Sequence, residues 1–320
     1  MKTILNLLPL TRAEREAFTS AAPDCRHLFR PVEQVTPRAS SGTAEDYAAA
    51  HVILGCPPEE RLAHAGNLEW LQLWSAGADR YLIPGVLPAG ATLTTAVGAY
   101  GPAVSEHLLA MLLALYKRLP DYRDRQHSQL WADAGPVHSL LGQTVLVGGT
   151  GDIGTHFARL VRALGAARVI GLRRNGGRPA EAFDETCGLE GLDGLLPQAD
   201  VVALVLPHAP ETTGLMTRAR LLSMKPGSVL LNAGRGTAVD CTALAEVLNA
   251  GRLLGAGLDV TDPEPLLPGH PLWNAPGALI TPHVAGGYGH MAVTLERIKA
   301  LFLDNLTRYA QGKPLRNRVC

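Results

Sequence analysis

Short apolar runs rich in Val, Ile and Leu alternate with stretches of helical spacing almost from end to end of the chain. The runs at 3–8, 51–55, 70–74 and 91–95 predict strands of a first sheet. A second series, at 144–147, 168–172, 200–206, 228–232, 255–260 and 278–281, predicts strands of another. Continuously apolar strands separated by helix-length segments imply parallel strands covered on both faces, hence a doubly wound α/β architecture. Apolar residues at Val104, Leu108, Met111, Leu112 and Leu115 predict a helix over 102–119. Val293, Ile298, Leu301 and Leu306 predict another over 291–311, stopped by Gly312. Two such helices bracketing the second series predict that residues 101–287 form one domain, inserted into another made of residues 1–100 and 288–320. Residues 174–198 and 262–276, rich in Gly and Pro, are expected to be loops.

Composition narrows the function classes. The chain has 320 residues, 47% hydrophobic and 18% charged, which excludes a disordered or fibrous protein and favours two domains. Twenty-nine basic residues balance 29 acidic ones, so no electrostatic footprint for nucleic acid or an anionic membrane is expected. The longest nearly apolar run, 108–116, is too short for a bilayer, and the first ten residues read as a strand rather than a signal peptide. Five scattered cysteines without CxxC spacing argue against a disulfide framework or a metal site and predict a cytoplasmic protein.

The strongest motif is Val145-Leu-Val-Gly-Gly149-Thr150-Gly151-Asp152-Ile153-Gly154, a GxGxxG that ends a predicted strand and opens a helix predicted over 152–164. Its glycines supply a tight turn, backbone approach to a pyrophosphate and helix–strand contact, and the helix N-terminus offers free N–H groups to the phosphates. At the end of the following strand an NAD site has a carboxylate for the ribose 2′-hydroxyl. Here the chain reads Arg173-Arg174-Asn175, two guanidiniums suited to a 2′-phosphate, so NADP(H) is expected in preference to NAD(H). Three further strand ends carry Arg235, Glu264 and His283: a planar fork for a carboxylate, an acid able to orient an imidazole, and a side chain that exchanges protons. Strand carboxyl ends are where open α/β sheets bind ligands.

These ordered motifs resemble the D-isomer-specific 2-hydroxyacid dehydrogenases. The likeness runs through Leu71-Gln-Leu-Trp-Ser75-Ala76-Gly77-Ala-Asp79, Val104-Ser-Glu106-His107 and the glycine loop. It continues through 206–215, Asn232-Ala233-Gly234-Arg235-Gly, the stretch from Asp259 to Pro265, Pro282-His283 and the ending 312–317. The resemblance implies two Rossmann-like domains, the NAD(P)-binding one inserted into a split substrate domain. It implies reduction of small 2-oxo acids, of glyoxylate or hydroxypyruvate type, to D-2-hydroxy acids. Arg235 would bind the substrate carboxylate, His283 would donate the proton and Glu264 would partner it. Backbone amides of Ser75, Ala76 and Gly77 would hold the carboxylate, and substrate choice would rest on them, on Tyr100 and on the 288–291 turn. Cofactor contacts would come from 149–154, Arg173, Arg174, Leu206, Pro207, Thr212, Ala233, Gly234, Asp259 and Gly286 as well as Arg235 and His283. A homodimer built around the first bracketing helix is implied. The chain departs from the family at 94–98, where an Asn-x-x-Gly segment is common. The same fold also serves NAD(H)-binding corepressors and formate or phosphite dehydrogenases, which are the alternative readings.

Overall fold

The structure, a computed structural model, describes residues 1–36, 39, 41–174, 176–287 and 291–320. The chain divides into two units, Met1–Tyr100 with Gly286–Cys320, and Gly101–Ala285.

The first unit holds β1 (Thr3–Asn6), β2 (Arg26–Phe29), β3 (Val52–Leu54), β4 (Trp70–Gln72) and β5 (Thr92–Thr94), all parallel, in the order β2-β1-β3-β4-β5. β1, β3 and β4 are buried throughout, which is why their sequences are apolar without alternation. β2 was not expected: it is an edge strand in which only Leu28 is buried. The helix expected over 291–311 is Ala292–Ala310, and it buries Ile298, Phe302, Asn305 and Leu306. Asn305 Nδ2 donates to Gln72 Oε1 (2.7 Å), which also accepts the Thr94 hydroxyl (2.8 Å), while the Trp70 indole donates to Thr94 Oγ1 (2.8 Å). These buried polar groups are therefore paired, as the low-dielectric interior requires. The C-terminal tail runs antiparallel along β5, with Val319 N–H donating to Leu93 O (2.8 Å).

The second unit is a seven-stranded parallel sheet: β6 (Thr144–Gly148), β7 (Arg168–Leu172), β8 (Glu185–Cys187), β9 (Val201–Leu204), β10 (Val229–Asn232), β11 (Gly255–Leu258) and β12 (Ala278–Ile280). Their order, β12-β11-β10-β9-β6-β7-β8, reverses between β6 and β9, the switch point at which ligands enter such sheets. Residues 174–198 are not all loop. They contain β8, a polar edge strand, and a short helix, Leu192–Leu195; 262–276 contains a 3-10 turn, Pro271–Asn274. The helix expected over 102–119 is two helices, Gly101–Tyr116 and Leu119–His127, parted by Arg118 in the left-handed region (φ 55°). Gly101 permits the first to press on helix Asp152–Ala163, since a Cβ there would strike Asp152 and His156.

Candidate active site

The three motif glycines have three different reasons to be glycine. Gly149 turns the chain at φ 105°, its N–H donating to Leu172 O (2.9 Å). A Cβ on Gly154 would collide with the Gly149 carbonyl oxygen, so helix Asp152–Ala163 can seat against the loop only without one. A Cβ on Gly151 would meet nothing within 4 Å: this side of the loop is open. Gly151 is also the N-cap and gives no side-chain cap, leaving the first-turn N–H groups to an outside acceptor. An open backbone cradle at a helix N-terminus fits a dinucleotide pyrophosphate. Thr150 and Ile153 are half-buried within this loop and helix start. Asp152 turns its carboxylate toward His156 (Oδ1–Nδ1 3.3 Å).

The turn after β7 is more constrained than its sequence suggests. Arg173 N–H donates to Cys187 O (3.0 Å) and its Nη1 to Arg178 O (3.3 Å). Arg174 does not stand unopposed, because Glu211 Oε1 lies 2.9 Å from its Nη2. The Glu211 carboxyl is held below the usual carboxylate range by its own backbone N–H and then by Arg174. Asn175 lies outside the described residues. In the loop after β9, the Thr212 hydroxyl donates to Pro207 O (2.8 Å) and accepts from Ala209 N–H (3.0 Å), so it ties the loop together. Ala233 N–H donates to Leu204 O (3.0 Å), and Leu206 sits against Gly234, where a Cβ would come within 2.6 Å of the Leu206 carbonyl oxygen.

At the ends of β10, β11 and β12 the polar residues are cross-braced. Asn232 Oδ1 accepts from Gly234 N–H (3.0 Å) and its Nδ2 donates to Arg235 O (2.9 Å). That fixes the turn presenting Arg235, whose Nη1 donates to Gly234 O (2.8 Å). Asp259, 2% exposed, organises the next turn. Its Oδ1 accepts the Thr281 hydroxyl (2.6 Å) and Val284 N–H (2.8 Å), its Oδ2 accepts Ala285 N–H (3.0 Å), and its carbonyl accepts His283 N–H (2.8 Å). The residues on both sides of His283 are thus anchored, which holds it at φ 56°, a backbone region unusual for a non-glycine residue. His283 Nδ1 lies 2.7 Å from Glu264 Oε1. An ionised carboxylate only accepts, so Nδ1 carries the hydrogen of that bond.

His107 and Thr281 were not singled out as site residues. His107 Nε2 is 2.9 Å from Thr281 Oγ1, whose hydrogen goes to Asp259, so the imidazole donates. Their partnership spans 174 positions and has no local sequence signal.

In the first unit, the Ser75 hydroxyl donates to Gly77 O (2.7 Å), and buried Cys56, its thiol pKa pushed up by desolvation, lies 3.5 Å from Ser75 Oγ. The N–H groups of Ala76 and Gly77 have no protein acceptor among the described residues. The Tyr100 hydroxyl donates to Trp74 O. Gly286 belongs to this unit, where a Cβ would press on the Tyr100 ring (3.1 Å); it is not grouped with the other expected cofactor contacts. Residues 288–290 of the expected specificity turn lie outside the described residues.

Comparison with known proteins adds three findings. Residues 109–285 match the model of the D-isomer specific 2-hydroxyacid dehydrogenase NAD binding domain. The chain is 29% identical to glyoxylate/hydroxypyruvate reductase A of Serratia proteamaculans, over 75% of this chain and 78% of that one. It is 30% identical to formate dehydrogenase 2 of rice, over 84% and 74%. Among solved structures, a D-isomer specific 2-hydroxyacid dehydrogenase family protein from Aeromonas salmonicida superposes with TM-score 0.83 at 32% identity, covering 100% of this chain and 99% of that one. An NADPH-dependent glyoxylate/hydroxypyruvate reductase from Sinorhizobium meliloti, in complex with NADP and sulfate, superposes with TM-score 0.77 at 25%, covering 100% and 98%.

Proposed function

Because the chain belongs to the D-isomer specific 2-hydroxyacid dehydrogenase family of NAD(P)-dependent oxidoreductases, we propose that it reduces small 2-oxo acids of the glyoxylate and hydroxypyruvate class to D-2-hydroxy acids, with NADPH the preferred cofactor. The observation that carries the reading is the His283–Glu264 pair at 2.7 Å, held on the anchored turn beyond β12 in the same unit as Arg235 and the glycine loop.

The 149–154 loop holds the pyrophosphate, and the unit Gly101–Ala285 serves as the cofactor domain. The cofactor, when bound, supplies a hydride to the substrate's C2. Arg235 binds the substrate carboxylate through its planar fork and draws electron density from the adjacent carbonyl. In the other unit, the Ala76 and Gly77 amides are the groups suited to an anionic oxygen. His283 delivers a proton from Nε2 to the C2 oxygen, and Glu264, bonded at Nδ1, keeps the ring in the tautomer and orientation this needs and stabilises the imidazolium that reforms. Asp259 acts through the backbone of the His283 turn, its oxygens being engaged there. Leu206, Pro207, Thr212, Ala233 and Gly234 form the floor beside the glycine loop. Arg173 favours NADPH: a charge-assisted bond to the 2′-phosphate contributes about 1.5–3 kcal/mol, a preference of at least about tenfold.

A homodimer fits the surface of helix Leu119–His127 and the segment after it. Leu119, Leu130 and Leu141 are more than half exposed there and Trp131 fully so, an apolar set that a second copy would cover. Light scattering should then give twice the 33.9 kDa chain mass. The five cysteines are free, consistent with a reducing cytoplasm.

The test is a steady-state screen of 2-oxo acids with NADPH and NADH. Glyoxylate or hydroxypyruvate should be reduced best, and faster with NADPH. Oxidation of formate with no 2-oxo acid turned over, or binding of cofactor with no turnover at all, overturns the reading.

A further inference from the structure

We propose that Glu211 limits the NADPH preference of this chain by competing with the 2′-phosphate of NADPH for the Arg174 guanidinium. The inference rests on the dinucleotide-binding reading above and goes beyond it, because it assigns a role to a residue outside the catalytic set and the glycine loop.

Topology makes the pair consequential. β6, which ends in the glycine loop, lies between β9 and β7. Arg174 follows β7 and Glu211 follows β9, so their contact (Nη2–Oε1 2.9 Å) bridges the two strand ends that flank the loop. A dinucleotide seated on the loop with its ribose toward the end of β7 places its 2′ position beside this bridge. With NADH that position bears a hydroxyl; with NADPH it bears nearly two negative charges.

Two consequences follow for NADPH alone. The carboxylate occupies the donor edge of Arg174 that the phosphate would take, and it adds a like charge nearby. Both side chains are open to water, Arg174 at 75% exposure and Glu211 at 42%, so the bridge opens without burying a charge and acts as a modest brake. Arg173 is differently placed: its guanidinium is bonded to a backbone carbonyl, Arg178 O, which carries no formal charge to set against a phosphate. The preference for NADPH is accordingly set by Arg173 and held down by Glu211.

The experiment measures Kd for NADPH and for NADH by fluorescence titration of the whole protein without substrate, so its result does not depend on which 2-oxo acid is turned over. Glu211→Gln should tighten NADPH roughly two- to fivefold, the range open to an exposed charge pair, and change NADH by less. Arg174→Gln should weaken NADPH, and in that background Glu211→Gln should lose most of its effect, since no guanidinium remains to be contested. An unchanged NADPH-to-NADH ratio in Glu211→Gln overturns the proposal. So does an equal effect of Glu211→Gln with and without Arg174, which would mean direct repulsion rather than competition. If the wild-type chain binds neither cofactor, the dinucleotide reading itself fails, and that outcome is separate because it appears before any substitution is made.

Discussion

Two clusters on the same sheet edge are built in opposite ways. Beyond β10, β11 and β12 the polar residues brace one another: Asn232 holds the Arg235 turn, and Asp259 takes four hydrogen bonds that fix the residues around His283. Beyond β7, among the described residues, Arg173 makes a weak side-chain bond to a carbonyl, and Arg174 meets a carboxylate in open water. Buried, cross-braced groups are costly to disturb singly, because each loss strands a partner in a low dielectric. Exposed single contacts cost little to exchange. The contrast predicts that the chemistry of this enzyme is rigidly specified while its cofactor choice is adjustable by one or two substitutions.

The sharpest test strikes the braced cluster at its chemical end. His283→Ala should lower kcat by roughly 10²–10⁴, with the fold intact by circular dichroism. A near wild-type rate would remove His283 from the mechanism. Arg173→Asp should come next, reversing the cofactor preference by about 10- to 100-fold in kcat/KM while leaving kcat with the better cofactor nearly unchanged. A matching loss of kcat with both cofactors would show that the β7 turn is as tightly coupled to the chemistry as the other cluster. Thr281→Val then probes the bracing itself. It leaves Asp259 and His107 each short of a partner, for a loss of about 1–3 kcal/mol of stability in chemical denaturation, and Thr281→Ser should restore most of it.

The smallest effect concerns the far side of β7. Asp184 has its pKa lowered, first by Val169 N–H (2.7 Å) and then by Arg162. A carboxyl whose folded pKa lies below its unfolded one stabilises the fold above the unfolded value, about 4, and loses that contribution as pH falls through the folded one. Asp184→Asn should therefore cost under about 1 kcal/mol at neutral pH, since the carboxylate is 42% exposed and screened, and the gap from wild type should close below pH 4. A gap that widens in acid would mean that the Asn side chain disturbs β7 for another reason.

How much of this was legible in the sequence follows from burial. Central strands such as β1 and β9 are buried on both faces and announce themselves as apolar runs. β2 and β8 are edges, written Arg-His-Leu-Phe and Glu-Thr-Cys, and a strand that faces water carries no such run. Arg235, Glu264 and His283 could be found because each follows a recognisable strand. The geometry adds what no local pattern holds: that Glu264 meets His283, that His107 reaches Thr281, and that Glu211 faces Arg174. Two arginines in a row look like an open cationic grip until the carboxylate from another loop is seen opposite one of them.

The antiparallel run of the C-terminal tail along β5 has a consequence for the order of synthesis. Residues 101–285 leave the ribosome as one continuous stretch containing every strand of their sheet. The first hundred residues emerge with β5 uncovered and without helix Ala292–Ala310, whose Asn305 later adds a second donor to Gln72 and whose Phe302 and Leu306 fill the core beside it. Both pieces emerge only after that whole stretch has been made. Until they emerge, the nascent first unit carries an unpaired strand edge and an unfilled stretch of core, so a chain stalled before residue 292 would be a ready substrate for chaperones or for aggregation.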